Sequence, residues 1–383
     1  MKKRVAIWLY GGIGTGSFSQ GQPLLEKLIR ELCTEFEIVV YSQSLVNKDY
    51  VSKEFRLRFA SLNVKNGSMR WLALMVLFLT DHFKSRYQVV CAFWGFPGGF
   101  LATLLARIMH IPSMVNLQGG DSVGISSLNY GVMHRSLFKQ LALWAYNKTN
   151  VLTTLTFYQK DLINRQGISR PILVIPFGAD RSVFRACAKN HEGISIFKFL
   201  HVSNYNVIKD TGTLLRTFAL IAKHKNSRLR IIGGQYEKSD HKELCRELGI
   251  ESLVEFCGSV AYDEINKHYE WADVMIHTSL YEAQGIVIAE AAMSGLLIAG
   301  TSVGLIADLG DQAAILVPPG DFKLLSERII EALDHPAIAD RKKDGSKQWA
   351  MQHDFYWTVA QFKKNLNEVG SFHRGNVEAA INL

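Results

Sequence analysis

The sequence predicts an α/β protein made of two doubly wound domains, each a parallel sheet covered by helices. Three observations carry this. Strand-like apolar runs alternate with helical patterns along the whole chain. The alternation restarts after a polar stretch near residues 182–195. The 383 residues are too many for one ordinary core but suit two domains of about 150–200 residues each. With 48% hydrophobic and 20% charged residues and no low-complexity tract, a largely disordered chain is excluded.

The first domain is expected to span residues 1–185. Val5–Leu9 is its first strand. The preceding Met-Lys-Lys-Arg gives it the look of a signal peptide, but the apolar run is short and Gly11 and Gly12 end it without a cleavage pattern, so the chain is read as cytoplasmic. Pro23 to Cys33 forms a helix, because Leu24, Leu25, Leu28, Ile29 and Leu32 share one face. Glu37–Tyr41 and Gln88–Phe93 are strands. The loop Gly95-Phe-Pro-Gly-Gly99 and an apolar helix to about Met109 follow. Ser113–Leu117 is a strand ending at Gln118-Gly-Gly-Asp121, and Val151–Thr154 and Ile172–Ile175 complete the sheet. Trp71–Leu79 is the longest apolar run. A spanning helix needs about 20 such residues, so it does not cross a bilayer. It is a core helix or, in the alternative, a helix that leans on a membrane.

The second domain, residues 186–354, repeats the pattern. Its strands are Phe197–Val202, Leu229–Ile232, Val254–Cys257, Val274–His277, Leu296–Ala299 and Ala314–Val317. Helices are expected over Thr211–His224, 239–248, 262–270 and Gly285–Ser294. A last helix, Phe355 to Val369, has apolar residues at 355, 359, 362, 366 and 369, one face of a helix within the segment 355–383. In such sheets ligands collect beyond the carboxyl ends of the strands, so two facing domains would form a cleft there.

Charge is unevenly divided. Residues 1–185 hold 22 Lys and Arg against 10 Asp and Glu, a net +12; residues 186–383 hold 21 against 25, a net −4. A basic first half can attract an anionic membrane or a phosphate-bearing substrate, and dispersed surface charge is the plainer reading. Without a binding motif or a dense basic block, nucleic acid is not an expected partner. The five cysteines, Cys33, Cys91, Cys187, Cys245 and Cys257, are scattered and lack CxxC spacing. They are expected as buried thiols rather than a disulfide framework or a zinc site.

The chemistry concentrates in His277-Thr-Ser-Leu-Tyr-Glu282-Ala-Gln-Gly285-Ile-Val-Ile-Ala-Glu290-Ala. A strand ends at His277, a loop carries Glu282, and a helix starts near Gly285. The free N–H groups at such a start bind anions, aided by the helix dipole, and glycine lets a phosphate come close. A carboxylate further along can accept both hydroxyls of a ribose. The plainer reading is an acidic first turn that stabilises the helix. It serves well for Glu282, but less well for Glu290, an acid among Ile288, Ala289, Ala291 and Ala292, which needs a partner.

Glu282 and Glu290 with seven residues between them, then Ala291-Ala-Met-Ser-Gly295 and Pro318-Pro-Gly-Asp321, resemble the signature of family 4 glycosyltransferases. The resemblance extends to Gly11-Gly-Ile-Gly-Thr-Gly16, Leu117-Gln-Gly-Gly-Asp121, Ile175-Pro-Phe-Gly-Ala-Asp180, Val202-Ser-Asn-Tyr-Asn-Val-Ile-Lys209 and Phe256-Cys-Gly-Ser-Val260. It implies the GT-B fold, two Rossmann-like doubly wound domains facing a central cleft. It also implies a retaining transfer of sugar from a UDP- or GDP-linked donor to a saccharide or lipid-linked saccharide, in cell-surface polysaccharide or glycolipid synthesis; the basic first half and the Trp71–Leu79 segment would place the chain at the inner face of the plasma membrane.

By the same resemblance, Glu290 would hold the donor ribose and Glu282 would sit by the donor sugar. Gln284, Gly285, Ile286 and Val287 would offer backbone N–H groups, and Asn204 and Val260 would line the donor site. Lys209 would neutralise phosphate charge. Gly12 and Gly14 would face the diphosphate, Gln118 and Asp121 the acceptor, and the last helix would return to the first domain. Asn204 stands where the family often has Arg, Gln118 where it often has His, and Phe177 where Asn is common. Without a DxD motif, no metal and no cofactor is expected, and Lys209 and the helix start would carry the leaving charge.

Three rivals differ in class. For a nucleotide-dependent oxidoreductase, Ser17 occupies the third glycine's place after Gly12 and Gly14, and the strand ending at Tyr41-Ser-Gln-Ser44 offers no acid for a ribose. A sugar-nucleotide epimerase or hydrolase of the same fold needs acid–base residues that have no visible match. A non-catalytic nucleotide-sugar-binding protein would explain Asn204 and Gln118 as decay.

Overall fold

The computed structural model describes residues 2–15, 21–47, 49–60, 66–186, 196–236 and 240–370. Gly16, Ser17, Cys187 and residues 187–195 of the expected linker lie outside the described residues. The chain forms two compact units, one of Met1–Pro176 with Thr358–Leu383, the other of Phe177–Trp357.

Unit 1 runs β1 (Lys3–Leu9), α1 (Pro23–Leu32), β2 (Phe36–Ser42), β3 (Arg56–Phe59), α2 (Gly67–Lys84), β4 (Val89–Phe93), α3 (Phe100–Ile108), β5 (Ser113–Asn116), α4 (Ser136–Lys148), β6 (Val151–Thr154), α5 (Phe157–Asn164) and β7 (Leu173–Val174). The strands form one sheet in the order β3-β2-β1-β4-β5-β6-β7. Every pairing described is parallel. The central strands are apolar without alternation because helices cover both faces. Pro23 pre-sets the first turn of α1, which buries Leu24, Leu25, Leu28, Ile29 and Leu32, the face the spacing predicted.

Helix α2 extends the predicted 71–79 segment at both ends. Asn66 caps it, accepting from the Ser68 N–H at 2.9 Å. Its inner face, Trp71, Leu74 and Phe78, joins Trp8, Tyr41 and Tyr87 in an aromatic cluster. Its outer face leaves Met69, Leu72, Val76 and Phe83 exposed, Phe83 by 76%. No helix among the described residues is long and apolar enough to cross a membrane.

Unit 2 runs β8 (Phe197–Val202), α6 (Thr211–Ala222), β9 (Ser227–Ile232), α7 (His241–Glu247), β10 (Val254–Gly258), α8 (Asn266–Trp271), β11 (Val274–His277), α9 (Ile286–Met293), β12 (Leu297–Thr301), α10 (Gly304–Ala313), β13 (Ile315–Val317), α11 (Phe322–Asp334) and α12 (Pro336–Gln352). Its sheet order is β10-β9-β8-β11-β12-β13. Asp321 of the Pro-Pro-Gly-Asp segment caps α11, accepting from the Leu324 N–H at 3.1 Å.

The change of unit comes at 176/177, ahead of the 185/186 expected from polarity. The cause is packing. Ala179 and Phe184 belong to the second core, and a side chain at Gly178 would strike the backbone of His353 and Asp354. Polarity marks where the chain is wet, whereas the unit begins where its core does. Helix α13 (Phe355–Glu368) buries Phe355, Val359, Phe362 and Leu366 as the spacing predicted, and from Thr358 onward it belongs to unit 1. There Phe362 stacks on Phe93 at 5.3 Å, and Lys3 Nζ donates to the carbonyls of Leu366 and Asn367.

Each sheet has one point where the strand order reverses. In unit 1 it lies between β1 and β4, in unit 2 between β8 and β11. Ligands of doubly wound sheets bind beyond the carboxyl ends of strands at such a point.

Candidate functional site

In unit 2 the residues leaving β8 and β11 build a charged cluster. After β8, a short turn at Val207–Lys209 is nucleated by Asn206, whose Oδ1 accepts from the Ile208 N–H at 3.1 Å. After β11, the loop 278–285 is pinned from four directions. Thr278 Oγ1 donates to the carbonyls of Lys209 and Asp210, and the Leu280 N–H to Ile208. Thr301 Oγ1 donates to the Ser279 carbonyl at 2.6 Å, and the Leu305 N–H to Gln284 at 2.8 Å. Gly304, with φ +54°, lets the start of α10 press on this loop; a Cβ there would lie 2.7 Å from Glu282 Cβ.

This frame brings three donors to one carboxylate oxygen. Lys209 Nζ lies 2.5 Å, Ser279 Oγ 2.8 Å and His277 Nε2 2.9 Å from Glu282 Oε1. With its Nε2 facing a carboxylate, His277 carries its proton there. Burial pushes the Glu282 pKa up, but the Lys209 charge and the His277 bond outweigh it and hold the acid well below the usual range. His277 stacks on His201 at 5.5 Å. Burial keeps His201 neutral, lowering its pKa to about 3, and its Nδ1–H donates to the Ile276 carbonyl at 2.9 Å.

Glu290 answers differently. It is 5% exposed, and its partner within the chain is the buried Tyr269 hydroxyl, which donates to Oε2 at 2.6 Å. Burial raises its pKa to about 7, against the pull of that bond. Helix α9 begins at Gly285, which has φ +78°, so the first-turn N–H groups of Ile286 and Val287 have no helical carbonyl to bind. The Gln284 side chain is spent on Phe177, donating Nε2–H to its carbonyl at 2.7 Å and accepting its N–H at 2.8 Å. Phe177 itself is buried. Asn204 is exposed, and its Oδ1 accepts from the Gly234 N–H at 2.9 Å. Val260 is half-buried against the core that holds Ile288 and Ala289.

The other named residues belong to unit 1. Gly12 and Gly14 have φ of +95° and +60°, and their carbonyls accept from the N–H groups of Gln22 and Asn47. Asp121 is 3% exposed. Burial raises its pKa, opposed by backbone N–H bonds from Gln118, Gly95, Gly119 and Phe96. This carboxylate therefore ties the loops after β4 and β5 together and does not present a free acid. Gln118 is half-buried, and its Nε2–H donates to Asn116 Oδ1. Cys91 and Cys245 are buried free thiols; Cys33 and Cys257 are half-buried and free.

Lys209 and Glu282 thus meet within unit 2, beside the Gln284–Val287 helix start. Reading the sequence missed His277, Ser279 and Gly304 as parts of this cluster. The first two stand inside the motif, and their signal was a polar run, His277-Thr-Ser279, that ends an apolar strand and opens the loop.

Residues 197–335, which contain this cluster, match the family described as glycosyl transferases group 1. The MMP α-(1→4)-mannosyltransferase of Mycolicibacterium hassiacum is 24% identical over 232 residues, 58% of this chain and 55% of that protein. The chain spans about half the length, or less, of the first curated relatives it matches. Among solved structures, the sucrose-phosphate synthase of Thermosynechococcus elongatus superposes with a TM-score of 0.79 over 97% of this chain and 100% of that one, at 15% identity. Anabaena HepE, solved with UDP and glucose, superposes with a TM-score of 0.74 over 96% of this chain and 100% of that one, at 17% identity. The fold is GT-B, with two Rossmann-like parallel-sheet domains.

Proposed function

We propose that the chain is a glycosyltransferase that moves a sugar from a nucleotide-diphosphate donor to a saccharide or lipid-linked saccharide, with retention of anomeric configuration. The observation that carries this reading is the Lys209–Glu282–His277–Ser279 cluster beside the start of α9, at the strand-order reversal of unit 2. It lies in the segment that matches the group 1 glycosyltransferases, and a GT-B neighbour was solved with UDP and glucose.

In this reading the diphosphate takes Lys209 and the N–H groups of Ile286 and Val287, so the leaving nucleotide's charge develops against a fixed cation and a helix start. Glu282 keeps its anchor on His277 and Ser279 through Oε1 and offers its other oxygen to a donor-sugar hydroxyl. Glu290 holds Tyr269 with one oxygen and a ribose hydroxyl with the other. The acceptor attacks from the face the diphosphate leaves, and the departing phosphate takes the acceptor's proton. That scheme needs no metal and no titrating side chain at Gln118. UDP is the first donor nucleotide to test and GDP the second.

The outer face of α2 supports the lipid-linked form of the acceptor. Met69, Leu72, Val76 and Phe83 make an apolar stripe flanked by Arg70 and Lys84, and the helix's one acid, Asp81, is buried and paired with Arg58. Apolar residues with flanking cations suit an anionic lipid surface, with the helix lying along it.

The test is product analysis with a panel of UDP- and GDP-sugars, with and without saccharide acceptors. Acceptor-dependent release of nucleotide with formation of a glycoside is the expected result. Free sugar or an epimerised donor, regardless of acceptor, would identify the hydrolase or epimerase instead. Binding without turnover would identify a nucleotide-sugar-binding protein.

A further inference from the structure

Two aromatic residues flank the strand-order reversal of unit 1. Tyr10 and Trp94 are the first residues beyond β1 and β4. These strands pair in parallel with Trp8 opposite Ala92, and continuing that register by two residues brings Tyr10 opposite Trp94. Tyr10 is 50% exposed, and Trp94 is half-buried. Trp94 also has φ +70° and ψ +126°, a left-handed backbone that a bulky residue adopts only at a cost.

The surroundings hold that strain in place. The Trp94 N–H donates to the Asn116 carbonyl at 3.0 Å, and its own carbonyl accepts from the Gly99 N–H at 3.0 Å. The indole lies outside the buried cluster around Trp8, Trp71 and Phe78. Its Nε1 lies 3.9 Å from where a Cβ on Gly119 would stand, which places it beside the Gln118-Gly119 loop. The buried Asp121 carboxylate fixes that loop and the Gly95-Phe96 loop to each other. A half-buried aromatic side chain on a strained backbone, held on a rigid frame at a strand-order reversal, has the features of a binding surface.

We propose that Trp94, with Tyr10 and the Gln118 amide beside it, is the platform on which the acceptor's sugar ring stacks. A pyranose presents a face of C–H bonds, weakly positive, which suits the negative face of an aromatic ring, while its rim of hydroxyls needs amide and hydroxyl partners. A cationic ligand fits poorly, since the nearby acid is buried and spent on backbone N–H groups. The inference deepens the transferase reading by assigning the acceptor a ligand class, a neutral saccharide ring, and a surface.

The test uses the full chain and saturation-transfer NMR. The probes are methyl glycosides of glucose, galactose, mannose and N-acetylglucosamine, their α- and β-linked disaccharides, and UDP and GDP. Wild type is expected to saturate at least one saccharide. Trp94→Gly should lose that signal at least fivefold and keep its nucleotide signal. Glycine adopts φ +70° without strain, so this variant should melt no lower than wild type. Trp94→Phe should keep most of the saccharide signal, and Tyr10→Ala, at an exposed position, should reduce it. Saccharide binding unchanged in Trp94→Gly overturns the platform. So does loss of nucleotide rather than saccharide, or nucleotide binding by a wild type that binds no saccharide of the panel. Saccharide binding that depends on Trp94, in a chain that binds no nucleotide, leaves the platform standing and removes the donor reading.

Discussion

The two sheets reverse strand order at equivalent places and put different chemistry there. In unit 2 the reversal carries the ion pair of Lys209 and Glu282, with His277 hydrogen-bonded to that acid, beside the positive end of a helix. In unit 1 it carries Tyr10, Trp94 and Gln118, and its acid, Asp121, is turned inward onto backbone N–H groups. The same architecture thus offers one surface suited to a phosphate-bearing ligand and one suited to a neutral polyol. What differs is how each loop uses its carboxylate. Glu282 is held ionised by a cation, whereas Asp121 serves as scaffolding.

Four experiments bear on this contrast, beginning with the one expected to show the largest effect. Lys209→Ala removes the cation and should lower kcat by about 100- to 1,000-fold, the usual cost of one charge-stabilising donor. Single-turnover kinetics with the identified donor checks this, and an effect on donor KM alone would assign Lys209 to ground-state binding.

Second, Glu290→Gln should weaken nucleotide binding by about 1.5–3 kcal/mol, the range for hydrogen bonds to a charged group. Calorimetry reads it, and unchanged affinity would remove the ribose role. The two acids of unit 2 also predict opposite pH dependences. Burial raises the Glu290 pKa from its usual 4.5 to about 7. The folded chain then binds a proton that the unfolded chain has lost, so ligand-free stability falls as pH rises from 4.5 through 7. Glu290→Gln should flatten that slope in thermal melts. Glu282 has a lowered pKa, so its contribution is present above the usual carboxylate range and is lost as pH falls through its folded value.

Third, Asp121→Asn turns one acceptor oxygen into a donor facing backbone N–H groups and should cost about 1–3 kcal/mol of stability by melting. Nucleotide binding should not change, because the scaffold serves unit 1. Fourth and smallest, the pair Leu72→Ser and Val76→Ser should leave stability within about 0.5 kcal/mol, as exposed substitutions do. It should reduce flotation with anionic vesicles at low salt. Equal flotation would remove the membrane role of α2.

Most of the fold was legible because a parallel sheet covered on both faces writes each strand as an apolar run. Strand β3 was not, since Arg56 and Arg58 sit on an edge and break the run. Lys209 and Glu282 stood out in the sequence by residue type, and the structure pairs them at 2.5 Å. Asp121 reads as a ligand group because it follows two glycines, and the sequence gives no sign of the backbone N–H groups that the structure places around it. Trp94 left no mark at all. A glycine at φ +70° would have signalled a special conformation, but a tryptophan reads as core. Glu290 was legible only as a question. Its apolar neighbours said it needs a partner, and the fold supplied Tyr269.

Helix α13 has a consequence for synthesis. Residues up to Pro176 of unit 1 are made before unit 2, yet Phe93 and Lys3 find their contacts on Phe362, Leu366 and Asn367, which leave the ribosome after unit 2. Unit 2 is one continuous stretch and has all its residues before then. Of the two units, the one begun earlier is thus completed later, and until α13 emerges its apolar patch around Phe93 is a surface for chaperones to cover.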